Sequence, residues 1–196
     1  MGLDIYWYKT NKKDGYFRRF VDKCYELDAY DEFLWKKHKG DYVDEFNNPK
    51  YTRQEQAIVD AMTKELEELR VLCDKDELNN DLFPNRKAHA IAQWIIGKNK
   101  DRQEIRHGLI CPKYTASYLS TDDIHELVQK LNRICDAKML QQAVDKEFPV
   151  IEGMIFADRA IDYVTTKEDW KSWRNSFSNL YEEMTEDEEI AVEFSW

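Results

Sequence analysis

Residues 3–9 alternate, with Leu3, Ile5 and Trp7 on one face and Asp4, Tyr6 and Tyr8 on the other, the period of a half-buried strand. The last residues repeat that period, Ile190, Val192, Phe194 and Trp196 alternating against Ala191, Glu193 and Ser195. Both ends of the chain are therefore expected side by side in one small antiparallel sheet. Between them the apolar spacing lengthens to three and four, the spacing of helices. From about Arg18, the residues Phe20, Cys24, Leu27, Tyr30 and Leu34 form one stripe, closed by the cations Lys36, Lys37, His38 and Lys39 before Gly40. Asp14-Gly15 before it marks a turn, after which Tyr16 and Phe17 could begin a short return strand.

Thr52 and Glu55 have the spacing of a capping box, in which each side chain satisfies a backbone N–H at a helix start. Ile58, Met62, Leu66, Leu69 and Cys73 then share one face. These two helices predict a helical hairpin over residues 18–80, an insertion within a single α+β domain spanning 1–196. Further on, Asn85 is expected to cap a helix that turns Ala88, Ile91, Ala92 and Ile95 inward, carries Trp94 on its flank and stops at Gly97. Residues 97–107 read as a charged, exposed segment, and residues 109–112 as a short strand or a buried turn. Ser120 with Asp123 opens a helix whose stripe is Ile124, Leu127, Val128, Leu131, Ile134 and Cys135; Leu140, Ala143 and Val144 extend the helical layer. Residues 153–157 form the best internal strand candidate. Thr166 with Asp169 caps the clearest helix, with Trp170, Trp173, Phe177, Leu180, Tyr181 and Met184 on one face. Helical runs between few, separated strands favour α+β over a parallel α/β sheet.

Charge narrows the function classes. Among the 196 residues, 39 acidic against 29 basic side chains give a net charge of −10, which argues against nucleic acid, where Lys and Arg must displace condensed counterions. The four cysteines, Cys24, Cys73, Cys111 and Cys135, lie far apart, without metal-ligand spacing. No stretch has the apolar length of a membrane span or the pattern of a signal peptide, so a cytoplasmic, membrane-free protein is expected. No cofactor signature and no metal site is predicted.

Candidate chemistry is sparse. Gly97-Lys98-Asn99 echoes a phosphate-binding loop, but the first Gly is missing and Asn99 stands where a hydroxyl would hold magnesium. A small anionic ligand, a nucleotide or phosphometabolite, has its best site at the expected helix start, with Arg86, Lys87 and His89 below the basic residues Lys98, Lys100 and Arg102. Cys111 lies four residues after His107, a spacing that by itself fixes no Cys–His geometry. No catalytic residue is assigned. The remaining excess is aromatic: Tyr6, Tyr8, Tyr16, Tyr25, Tyr30, Tyr42 and Tyr51 cannot all be buried near the N-terminal elements, and Tyr and Trp are favoured at protein interfaces.

Met1 to Tyr6, Arg86-Lys87-Ala88 with Trp94, Ser120, Gly153 to Phe156 and the closing Ser195-Trp196 together resemble a family of small phage, prophage and bacterial proteins that begin Met-Gly-Leu-Asp-hydrophobic-Tyr. The chain departs from that pattern at Asn85, His89 and Ala92, where an aromatic, an Asn and a His are usual. The likeness spans scattered blocks and skips the helical hairpin. It implies phage or prophage ancestry and, since no activity is established for the family, no catalytic residue. The expected function is a non-enzymatic binding protein, acting on a host protein or by self-association as a homo-oligomer; inhibition of a host defence system is one biological role open to it.

Overall fold

A computed structural model describes residues 4–39, 51–79, 81–85, 88–156 and 165–195. The chain forms two compact units, one from Met1–Lys12 with Glu77–Trp196 and one from Lys13–Asp76.

The first unit is α+β. Strand β1 (Asp4–Asn11) pairs antiparallel with β5 (Glu188–Ser195), Asp4 opposite Ser195 and Asn11 opposite Glu188, so the two ends of the chain are neighbours in one sheet. Strand β4 (Ala116–Leu119) pairs with the other edge of β5 and completes the order β1-β5-β4. Ile5, Trp7, Leu119, Ile190, Val192 and Phe194 share one face, because each pairs with or sits two residues from another. They join the core supplied by α3 (His89–Lys98), α4 (Thr121–Asp136), α5 (Leu140–Glu147) and α6 (Lys167–Glu183). The opposite face is not a solvated one. Tyr8, Thr10 and Ala191 are buried on it as well, and the Tyr8 phenol donates to Glu193 at 2.9 Å.

The expected capping boxes at Ser120/Asp123 and Thr166/Asp169 are present with both reciprocal bonds. At α3 the start moves. Asn85 does not cap the helix; its carbonyl accepts the Ile5 N–H at 2.9 Å, and the helix begins at His89 without a side-chain cap. Its end differs too. Gly97 lies inside α3, where a Cβ would come 3.1 Å from Ile151 Cδ1, so this glycine serves close packing and Lys98 ends the helix.

The segment expected to be charged and exposed contains a strand. β2 (Gln103–Arg106) forms a hairpin with β3 (Leu109–Pro112) across His107 and Gly108, whose φ values of 51° and 80° suit a two-residue turn of the primed type. Residues 153–156, expected as a strand, are a turn: Gly153 (φ 75°) and Phe156 (φ 66°) break the extended run and leave one parallel bridge, Ile110 to Met154. Ala157 and Trp196 lie outside the described residues.

The second unit is a helical hairpin of α1 (Tyr16–Lys37) and α2 (Arg53–Cys73). Tyr16 and Phe17 are the first turn of α1 and not a return strand. The helices run antiparallel, as Arg70 over Phe20 (5.5 Å), Lys23 with Glu65 (3.2 Å) and Lys37 with Glu55 (2.6 Å) show. The Thr52/Glu55 capping box is formed. Ile58 is exposed, and Val59 takes its place on the inward stripe that continues through Met62, Leu66, Leu69 and Cys73.

Candidate interaction surface

Of the described residues expected to bind an anion, His89 lies at the opposite end of α3 from Lys98, Lys100 and Arg102. His89 opens α3, half-buried, with its ring 5.4 Å from that of Phe156. Lys98 closes the same helix, about 13 Å further along its axis, and its ammonium meets Asp123 at 3.0 Å and Glu126 as well. Burial works against that charge, yet Glu126 and Asp123 outweigh it and hold the Lys98 pKa above its ordinary value. Arg102 lays its guanidinium 4.5 Å from the Tyr118 ring centre, a cation–π contact, while Lys100 is exposed on the short turn before β2. Arg86 and Lys87 lie outside the described residues.

Asn99, which took the place of a magnesium ligand in the loop-like stretch, has another role. Its carboxamide accepts the Tyr118 N–H at 2.9 Å and donates to the Tyr118 carbonyl at 2.9 Å and to the Ile95 carbonyl at 3.0 Å. Cys111 is almost fully buried, its thiol pKa pushed up by burial, whereas His107 sits on the exposed hairpin turn. A thiolate needs the opposite environment.

One ionic cluster escaped sequence reasoning. Glu55, only 7 % exposed, meets Lys37 Nζ at 2.6 Å and His38 Nε2 at 2.9 Å, and accepts the Thr52 N–H at 2.8 Å. The sequence shows a capping box and a cationic helix end; that one carboxylate serves both becomes visible only when α1 and α2 are antiparallel. Lys37, the Thr52 backbone and His38, in that order, hold the Glu55 carboxyl well below the usual carboxylate range. A depressed acid stabilises the fold above its unfolded pKa and loses that contribution as pH falls toward the folded value. Acidification below about pH 4 should therefore loosen α1 against α2, and Glu55→Gln should flatten that dependence while weakening the pair at neutral pH. Amide exchange of α1 and α2 measured across pH checks it; identical profiles for variant and wild type would remove the clamp.

As expected, the tyrosines near the N-terminal elements are not all buried. Tyr8 is buried, Tyr6, Tyr16, Tyr25, Tyr30 and Tyr51 are half-buried, and Tyr42 lies outside the described residues. Among the described residues, Phe33 and Trp35 are the exposed aromatics of the second unit, on opposite sides of α1. In the first unit a groove of about 460 Å³ runs between Leu78, Asn79, Leu82 and Phe83 and the face of α6 that carries Ser172, Asn175, Ser176, Asn179 and Glu183.

The most exposed large apolar side chain among the described residues is Ile105 of β2, at 76 %, with Leu109 at 42 % beside the turn. Ile110, opposite Ile105, donates to the Gly153 carbonyl at 2.8 Å and accepts from the Ile155 N–H at 3.0 Å, both on the side away from β2. The Ile105–Ile110 rung is therefore the non-hydrogen-bonded kind, and the N–H and C=O of Ile105 point outward from the free edge of β2. Among the described residues nothing pairs with that edge. An apolar side chain and an open peptide group thus occur at the same residue.

The architecture defines an α+β protein with a strand edge open for pairing. No family model matches the chain, and neither a curated protein nor a solved structure matches it. Among the described residues no helix is long and apolar enough to cross a membrane.

Proposed function

We propose that this chain is a non-enzymatic binding protein that takes up a protein partner by strand addition to the outer edge of β2. The observation that carries the reading is Ile105, whose side chain is 76 % exposed and whose peptide group faces outward with no partner among the described residues. Natural sheets usually shield such an edge with charge, proline or a covering element, because unpaired N–H and C=O groups recruit other chains. In strand addition the main-chain bonds give affinity and alternate side chains give selectivity. Phage or prophage descent, suggested by the likeness of residues 1–6, 86–88, 94 and 195–196 to that family, is consistent with a small protein that acts by binding. The anion-site reading has less support, since the charge of Lys98 is engaged by two carboxylates and that of Arg102 lies over Tyr118.

Ile105→Pro tests the proposal. Proline removes the outward N–H but no ladder bond of the hairpin, and an edge position tolerates it. Affinity capture from bacterial lysate with wild type and Ile105→Pro, read by mass spectrometry, should show an identified protein retained by the first and lost at least tenfold with the second. Identical captures, together with a wild type that stays monomeric at every concentration, would overturn strand addition.

A further inference from the structure

We infer that the strand added to β2 is β2 of a second copy of this chain, paired antiparallel about a two-fold axis at Ile105. This rests on the strand-addition reading and names its partner. The three residues Glu104-Ile105-Arg106 are self-complementary in that arrangement. With Ile105 opposite its symmetry mate, antiparallel pairing places Glu104 of each copy opposite Arg106 of the other. Because the N–H and C=O of Ile105 point outward, the central rung is the hydrogen-bonded kind, each Ile105 exchanging two bonds with its mate. The adjoining Glu104–Arg106 rungs are then the non-hydrogen-bonded kind, in which side chains lie closest and opposite charges attract across strands.

Side-chain placement agrees. Glu104 and Arg106 share a face and already meet within one chain, Arg106 Nε at 2.7 Å from Glu104 Oε1, so both are aligned on the side where the mate's pair would lie. Ile105 is on the other face with Ile110, where two Ile105 side chains would cover each other. The outer edges of β1 and β4 are less open. Leu78 and Asn85 bond β1 at Trp7 and Ile5, and Asn99 occupies β4 at Tyr118. The net charge of −10 opposes association at long range, but at about 0.15 M salt it is screened beyond roughly 8 Å while contacting pairs persist. A ladder of three rungs lies at the weak end of specific interfaces, so the association is read at high protein concentration.

The test is charge complementation in sedimentation velocity at 0.15 M salt. Wild type should shift from monomer toward dimer as concentration rises, with the Ile105 amide becoming protected from exchange in parallel. Glu104→Arg puts Arg opposite Arg in a self-pair, and Arg106→Glu puts Glu opposite Glu, so each variant alone should dimerise at least tenfold more weakly than wild type. An equimolar mixture of the two should dimerise again, since every cross-pair is then Arg opposite Glu. Such rescue cannot come from refolding within either chain. A mixture that stays monomeric, or a wild type that stays monomeric with its Ile105 amide unprotected at every concentration, overturns self-pairing. In the second case strand addition stands or falls on whether Ile105→Pro loses a foreign protein in the capture experiment.

Discussion

Replacing Trp7 with alanine is expected to remove about 4–5 kcal/mol of stability from the first unit, near the top of the range for deleting a buried indole and comparable with the whole stability of a modest domain. Trp7 is fully buried on the packed face of the sheet. Its ring meets Phe177 of α6 edge-on at 5.1 Å and Phe83 at 6.0 Å, and Phe83 meets Phe177 edge-on at 5.1 Å, so three aromatic rings close on one another. The indole N–H donates to the Pro84 carbonyl at 2.8 Å, and the Trp7 carbonyl accepts the Leu78 N–H at 2.8 Å. One residue thus anchors residues 78–84 to β1 and joins the sheet to α6. Alanine would leave a cavity between rings that cannot collapse toward one another and a buried carbonyl without its donor. Trp7→Phe separates the two losses: it keeps a ring but not the N–H, and should cost about 1–3 kcal/mol for the unsatisfied carbonyl. Urea unfolding followed by circular dichroism reads both. An alanine variant within about 1 kcal/mol of wild type, the average cost of an arbitrary substitution, would show that Trp7 does not organise this core.

What was legible in the sequence follows from the range of the interaction that fixes it. Strands β1 and β5 could be read because eight residues of alternation outweigh any local irregularity, and their adjacency follows from each needing a partner. The caps at Thr52, Ser120 and Thr166 could be read because a capping box is complete within four residues. β4 is four residues long, follows left-handed Tyr114 and Thr115 (φ 52° and 56°), and has all four side chains buried, so it shows no alternation. β2 was hidden for a different reason: Gln103, Glu104 and Arg106 are polar as an exposed loop would be, and only the His107-Gly108 turn reveals the pairing. Residues 153–157 had the composition of a strand, but the positive φ of Gly153 and Phe156 prevented one. The candidate anion site depended on Asn85 capping α3. Asn85 instead gave its carbonyl to Ile5, a partner 80 positions away that no local rule anticipates. Ile105 was seen only as part of a charged segment, because a free strand edge has no meaning until the rest of the sheet is placed.

Asn99→Ala is expected to cost about 2–4 kcal/mol, since two peptide groups of a buried strand edge and one helix carbonyl lose their partner together. The carboxamide presents a donor and an acceptor side by side, as a peptide group does, and pairs with both the N–H and the C=O of Tyr118. It acts as one rung of a missing neighbour strand on the outer side of β4, while its second amide hydrogen reaches Ile95 in the last turns of α3. Asn99→Asp should be nearly as costly, because a carboxylate can accept from Tyr118 but would oppose the Tyr118 and Ile95 carbonyls with negative charge. Beyond lost stability, the variant opens the β4 edge, and an open edge recruits other chains; light scattering after brief warming should rise for Asn99→Ala before the wild type responds. The decisive reading is the exchange of the Tyr118 amide hydrogen, which should accelerate well beyond that of other β4 amides. If Tyr118 keeps its wild-type protection in Asn99→Ala, the carboxamide is not what closes this edge. The same chemistry explains why this position suits the fold better than a phosphate loop: a hydroxyl offers a single hydrogen to donate, and the edge of β4 together with the end of α3 requires two donors and an acceptor from one side chain.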